Sequence, residues 1–281
     1  MNDDEIRELS ADDLLRRSAA KVRIVADRAA VAVEFARVMA ATISNHNQSG
    51  RNTVFIMPVG PTGQWRLFAE RANAEGLDLT RLFIFNMDEY LGSDGLNLPP
   101  SHPFSFARFV KEEFLEVLQP GRGFKPENLC VPNSQDLSRP ERAIKAAGGV
   151  DIAFAGIGLN GHLAFNEPPE TTEGWSDESF ARSTVRIVKL AGTTKATNAI
   201  FGTGGDLSLV PDYAVSLGMR EILGARAVHV FLDWHWQQAV VRRALFGPVT
   251  RFFPASLLQR HPSVAVTLSQ EVAAKQKLKP E

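Results

Sequence analysis

The apolar run Val150-Asp151-Ile152-Ala153-Phe154-Ala155, followed at once by Gly156-Ile157-Gly158-Leu159-Asn160-Gly161-His162-Leu163-Ala164-Phe165-Asn166-Glu167-Pro168, constrains this chain more than any other stretch. The first part reads as a buried strand. The second is too rich in glycine and proline for a regular helix, so it must be a loop at the strand's carboxyl end. His162 and Glu167 sit five positions apart within it. An imidazole and a carboxylate together are the parts of an acid–base site that works near neutral pH.

Elsewhere the chain alternates strand and helix. Thr53–Met57 predicts a strand closed by Pro58-Val59-Gly60-Pro61-Thr62-Gly63, and Gln64–Ala74 a helix. Leu82–Met87 is the next strand, with Asp88-Glu89 directly after it. The spacing predicts helices over Phe104–Leu118, Arg139–Ala147, Tyr213–Leu223, Gln237–Phe246 and Ser256–Arg260. Further strands are expected at Thr184–Leu190, Ala227–Leu232 and Ser263–Leu268. Asp12–Ile43 has helix-like spacing and reads as one long helix or two shorter ones. The stretch from Leu118 to about Asp136 reads as a proline-rich connection. The acidic, glycine-containing run Pro168–Asp177 suits a lid as well as an ordinary surface loop.

This alternation, without a low-complexity linker or repeat, predicts a single α/β domain over residues 1–281 with an N-terminal helical segment at about 1–45. Its sheet is expected to be mostly parallel with helices on both faces. Ligands of such folds bind beyond the carboxyl ends of the strands. The Gly60–Gly63 turn, Asp88-Glu89 and the 156–167 loop all fall there, which argues for one shared site.

A formal net charge of −1 gives no support to nucleic-acid or membrane partners. No run approaches the roughly 18 apolar residues of a membrane span. The acidic start Met-Asn-Asp-Asp-Glu lacks the regions of a secretory signal, so a cytoplasmic location is expected. The single cysteine, Cys130, excludes an intramolecular disulfide and a multi-cysteine metal site. No second histidine or cysteine lies at ligand spacing near His162, so zinc is not expected.

Gly60-Pro61-Thr62-Gly63 can offer backbone N–H groups and a helix N-terminus to an anion, although such turns also use glycine and proline for steric reasons alone. Adjacent Asp88 and Glu89 diverge in an extended segment, so one can enter the cleft while the other anchors the loop. His102, His229, His235 and His261 are assigned structural roles.

Phe85-Asn86-Met87-Asp88-Glu89-Tyr90, His102-Pro103 and Gly158 to Pro168 together resemble the glucosamine-6-phosphate deaminase (isomerase) family, within a superfamily shared with 6-phosphogluconolactonases. Ala214–Leu223 and Ala255–Gln259 are similar to that family too. The resemblance runs from about residue 50 to 268. It implies a three-layer, modified Rossmann-like fold with a mostly parallel sheet and no nucleotide cofactor or metal. It also implies an amino-sugar phosphate isomerase/deaminase acting on a small sugar or sugar phosphate, and allows a homo-oligomer. The implied catalytic residues are Asp88, His162, Glu167 and Asn160. Gly60, Pro61, Thr62, Gly63, Glu89, Gly158 and Gly161 would bind substrate. In the implied mechanism His162, supported by Glu167, opens the sugar ring, and Asp88 takes the proton from C2 and relays it towards C1.

The sequence departs from the family pattern in two places. Asn160 stands where the family has aspartate before Gly-His, removing a charge that would favour an imidazolium. The phosphate ligands also look replaced. Gln64-Trp65-Arg66 follow the turn, and Asp233-Trp234-His235-Trp236 stand where a lysine is expected. Asn198-Ala199-Ile200 stand where an arginine is expected. Lys195, Arg242 and Arg243 are the candidate substitute charges, and Trp234 and Trp236 either line this corner or belong to the core. The alternatives that remain are a deaminase for another amino sugar, phosphorylated or not, a lactonase, and a non-catalytic sugar-binding sensor.

Overall fold

Thr53–Met57 and Ile152–Ala155 are buried at every position, as only strands covered on both faces are. The computed structural model describes residues 1–276. Its ten strands are β1 (Lys21–Val25), β2 (Thr53–Met57), β3 (Leu82–Asn86), β4 (Asp88–Leu91), β5 (Leu129–Cys130), β6 (Ile152–Ala155), β7 (Arg186–Lys189), β8 (Tyr213–Ser216), β9 (Ala227–Leu232) and β10 (Val264–Ser269). Seven form one parallel sheet in the order β1-β10-β9-β6-β2-β3-β5, and β4-β8-β7 form a small antiparallel sheet.

Side chains alternate across the large sheet. Val54, Ile56, Ala153, Ala155, Val228 and Val230 join the core beneath the helices Arg139–Ala147 and Gln237–Phe246. Phe55, Met57, Phe154 and Phe231 face the helices Arg28–Gln48 and Gln64–Ala74, through Val31, Phe35, Met39, Trp65 and Phe68. This gives the expected three layers of helix, sheet and helix. From β2 the chain moves outward to β3 and β5, then returns to β6 on the other side of β2. That reversal opens a crevice at the carboxyl ends of β2 and β6.

Four expected elements are corrected. Asp12–Ile43 contains a strand, β1, between the helices Ala11–Arg17 and Arg28–Gln48. Among the described residues β1 pairs with β10 alone, and its exposed Lys21 and Arg23 alternate with Val22 and Ile24 over only five residues, too short a run to stand out between two helices. Tyr213–Leu223 splits into β8 and a short helix, Met219–Leu223. A Cβ on Gly218 would lie 2.0 Å from the Ser183 carbonyl oxygen, so the chain passes too close to its neighbour for an uninterrupted helix of ordinary residues. The connection before Asp136 contributes β5, pairing Cys130 with Phe85. Phe104–Leu118 begins as an α-helix at Phe106–Val110 and continues as a π-turn over Lys111–Leu115.

Arg242 is wholly buried and ties the segments around Leu9 and Ala273 to the Gln237–Phe246 helix. Its guanidinium donates to the carbonyls of Leu9, Gln238, Ala273 and Ala274 at 2.8–3.0 Å. Replacing it with methionine leaves these acceptors without donors, and we expect unfolding stability to fall by about 3 kcal/mol or more. Denaturant unfolding checks this; an unchanged midpoint would contradict the assignment. Among the described residues no helix is long and apolar enough to cross a membrane.

Candidate active site

The crevice is a cavity of about 560 Å³ at the carboxyl ends of β2, β3, β6 and β9. Its lining includes Gly60, Pro61 and Thr62 after β2, Asp88 on β4, Gly158 and His162 after β6, and Asp233 after β9. Six of the eleven expected site residues therefore line one cavity, namely Gly60, Pro61, Thr62, Asp88, Gly158 and His162.

Asp88 and Tyr90 are two apart on β4, so they share a face of the strand, and both line the cavity. Asp88 is buried, and burial pushes its carboxyl well above the usual carboxylate range, with the charge of Glu89 adding to the effect. Glu89 points the other way. Its Oε1 accepts from the N–H groups of Tyr90 and Phe106, and its Oε2 from Ala107 N–H and the Ser105 hydroxyl, at 2.8–3.1 Å. Glu89 thus caps the Phe106–Val110 helix and is absent from the cavity lining. The two neighbours separate in the way their alternation requires.

The 156–167 loop is shaped around one ring. A Cβ on Gly158 would lie 2.0 Å from Cε1 of His162, so only glycine leaves room for the imidazole. Gly161 has φ +87° and packs against Phe253, where a Cβ would come within 2.6 Å of the ring. His162 Nδ1 lies 2.8 Å from Asn160 Oδ1, 3.3 Å from Thr194 Oγ1 and 3.4 Å from Glu167 Oε2. These partners occupy Nδ1 and leave Nε2 as the nitrogen free to meet a substrate.

Asn160 is the bridge. Its Oδ1 faces the imidazole, while its Nδ2 donates to Glu167 Oε2 at 2.6 Å. An amide accepts and donates at once, which suits it to stand between an imidazole N–H and a carboxylate. Burial pushes Glu167 upward, but its bonds to His162, Thr194 and Asn160 outweigh this and hold its carboxyl below the ordinary value. An aspartate at 160 would place two carboxylates in contact. Asn160→Asp is expected to lower kcat for ammonia release, because an aspartate cannot donate to Glu167 Oε2 and repels it instead. An unchanged kcat would show that the link between His162 and Glu167 is dispensable.

The proposed substitutes for the missing cations lie elsewhere. Lys195 pairs with Asp212, Arg242 is locked in the core, and Arg243 stacks on Phe253 at 4.6 Å. None of the three lines the cavity. Gln64 and Trp65 turn inward and brace the Gly60–Gly63 turn by donating to the carbonyls of Val59 and Pro58, at 2.9 and 3.0 Å. Trp234 lines the cavity, whereas Trp236 packs against the core.

The structure adds residues that pattern reading passed over. Tyr90 accepts from Asn198 Nδ2 at 2.6 Å, and both line the cavity with Phe104, Phe106 and Phe165. Arg28 enters from the start of the Arg28–Gln48 helix. A charged residue at a helix start carries no local signal of such a role, so its part shows only in three dimensions.

No protein-family model matches the chain. It is 32% identical over 253 residues to glucosamine-6-phosphate deaminase 2 of Bacillus subtilis (strain 168), a match covering 87% of this chain and 94% of that protein. It is also 32% identical over 247 residues to glucosamine-6-phosphate deaminase 2 of Giardia intestinalis, covering 85% and 87%. The fold superimposes on a monomeric glucosamine-6-phosphate deaminase with a TM-score of 0.77 and 26% identity, covering 90% of this chain and 98% of that one. A 6-phosphogluconolactonase from Thermotoga maritima shares the fold at a TM-score of 0.63 and 14% identity.

Proposed function

The chain belongs to the glucosamine-6-phosphate deaminase family, and from that premise we propose that it converts glucosamine 6-phosphate to fructose 6-phosphate and ammonia. The observation that carries this reading is the pairing of Asp88 with His162 in one cavity, each held by a different strand-end. A carboxylate on one wall and an imidazole on another are what an aldose–ketose shift demands. One base must work on carbon and one on oxygen.

In this reading His162 Nε2 takes the proton of the anomeric hydroxyl and returns it to the ring oxygen, opening the pyranose. Asn160 and Glu167 keep the ring oriented and stabilise the positive charge it carries in between. Asp88 then removes the proton from C2 of the open chain. The electrons form a C1–C2 double bond, giving an enolamine, and Asp88 returns the proton to C1. Water adds to the imine that results at C2, and ammonia leaves. Tyr90, Asn198 and the aromatic wall of Phe104, Phe106 and Phe165 enclose the sugar and exclude bulk water. The one large sheet, with β1 from the beginning of the chain against β10 near its end, supports reading residues 1–281 as one domain.

The test is ammonia release from purified protein with amino sugars offered with and without a 6-phosphate, beside hydrolysis of 6-phosphogluconolactone. Release of ammonia and a ketose from glucosamine 6-phosphate supports the reading. Acid release from the lactone with no ammonia would replace it with a hydrolase.

A further inference from the structure

Among the described residues that line the cavity, Arg28 is the only lysine or arginine. Its Nε forms an ion pair with Asp233 Oδ2 at 2.9 Å, its Nη2 donates to Thr62 Oγ1 at 3.3 Å, and its guanidinium stacks on Trp234 at 3.8 Å from the ring centroid. Phe201 also packs on Trp234, with ring centroids 4.2 Å apart. Asp233 is buried whereas the Arg28 side chain is 44% exposed, so the carboxylate anchors a cation that still reaches open space.

We propose that Arg28 is the phosphate-recognising residue of this chain, supplying from the start of the Arg28–Gln48 helix the positive charge that the positions around Trp236 and Asn198 lack. The inference rests on the deaminase reading and assigns it a substrate-specificity residue. The guanidinium has five donors in a planar fork. The ion pair with Asp233 and the stack on Trp234 fix the plane. Nη1 and the second hydrogen of Nη2, whose first goes to Thr62, remain for an oxyanion above the Gly60–Gly63 turn. The Thr62 hydroxyl and the N-terminus of the Gln64–Ala74 helix border the same space. A Cβ on Gly63 would lie 4.0 Å from that of Ala32, so the starts of the two helices converge here and both favour negative charge. The adjacent Asp233 carboxylate opposes a second anion. Recognition therefore needs the fork geometry of arginine and not merely a positive charge.

Two measurements test this on the intact protein. The first is calorimetric binding of inorganic phosphate to wild type, Arg28→Met and Arg28→Lys. The second is the steady-state kinetics of ammonia release from glucosamine 6-phosphate and from glucosamine. Loss of a charge-assisted bidentate contact is expected to weaken phosphate binding and to raise KM for glucosamine 6-phosphate by about 10- to 100-fold in Arg28→Met, with a smaller change in kcat. Arg28→Lys should fall between, and the preference of wild type for glucosamine 6-phosphate over glucosamine should shrink in the same order. Phosphate binding that is equal in wild type and Arg28→Met, or absent from wild type, overturns the proposal. So does a wild type that uses glucosamine as well as its phosphate. Wild type that binds phosphate through Arg28 yet releases no ammonia from any sugar leaves this assignment standing and removes the deaminase reading instead.

Discussion

Asp88→Asn is expected to lower kcat for ammonia release by about 1,000-fold, the size of effect that a positioned general base contributes, while KM changes little. The substitution keeps shape and volume and removes only the ability to accept a proton from carbon. The pH dependence follows from the same burial. A base acts in its ionised form, and the Asp88 carboxyl is held well above the usual carboxylate range. Rate is therefore full above that raised value and lost as pH falls through it, so the acid limb lies above the ordinary range for aspartate. Stability runs the opposite way. A carboxylate whose folded value is raised above its unfolded one destabilises the fold once pH exceeds the unfolded value. The asparagine variant should therefore melt higher than wild type at neutral pH while being nearly inactive. Steady-state kinetics with thermal melts at pH 5 and pH 8 check both halves. An active variant, or one that melts lower at pH 8, contradicts the role given to Asp88.

Gly158→Ala should be almost as damaging although it removes no functional group. The added Cβ would sit 2.0, 2.2 and 2.5 Å from three ring atoms of His162, and no such contact can persist. The imidazole must swing away from Asn160 and Glu167, and displacement of a catalytic group by about 1 Å costs on the order of 100-fold in rate. The loop should stay folded, because Leu163, Phe165 and Asn166 beyond it remain buried. Gly192→Ala is the neutral comparison, since its added Cβ meets nothing within 4 Å. A Gly158→Ala enzyme of ordinary activity would show that His162 does not work from the position described here.

How much of this was legible in the sequence depends on what each residue faces. β2, β3, β6 and β9 could be read because apolar side chains cover both faces of a central strand. β1 could not, because its alternation over Lys21–Val25 is only five residues long and lies between two helices. β8 is held by its partners on both sides, Glu89 opposite Val215 and Val188 opposite Ala214, a dependence no local pattern reports. Asp88 and His162 were visible because each follows a strand that ends in the crevice. The same logic placed Glu89 beside Asp88 in the site, and only the backbone N–H groups of Phe106 and Ala107, far along the chain, show it to be a helix cap. Asn160 read as a lost charge. The structure makes it a donor–acceptor link between His162 and Glu167. Arg242 looked available for a ligand and is instead consumed by the main-chain carbonyls of Leu9, Ala273 and Ala274. Arg28, on a helix that looked amphipathic, reaches Asp233 across more than two hundred residues of chain. Contacts of that range leave no periodicity behind.

In the proposed reaction Asp88 carries a proton from C2 to C1 of an opened amino sugar. Glucosamine 6-phosphate labelled with deuterium at C2 tests it most directly, with ammonia release followed in ordinary water and the ketose product analysed by NMR. Turnover of the labelled substrate is expected to be slower, with a fraction of the deuterium retained at C1 of fructose 6-phosphate. Equal rates for labelled and unlabelled substrate with no deuterium at C1, or no ammonia at all, would contradict it.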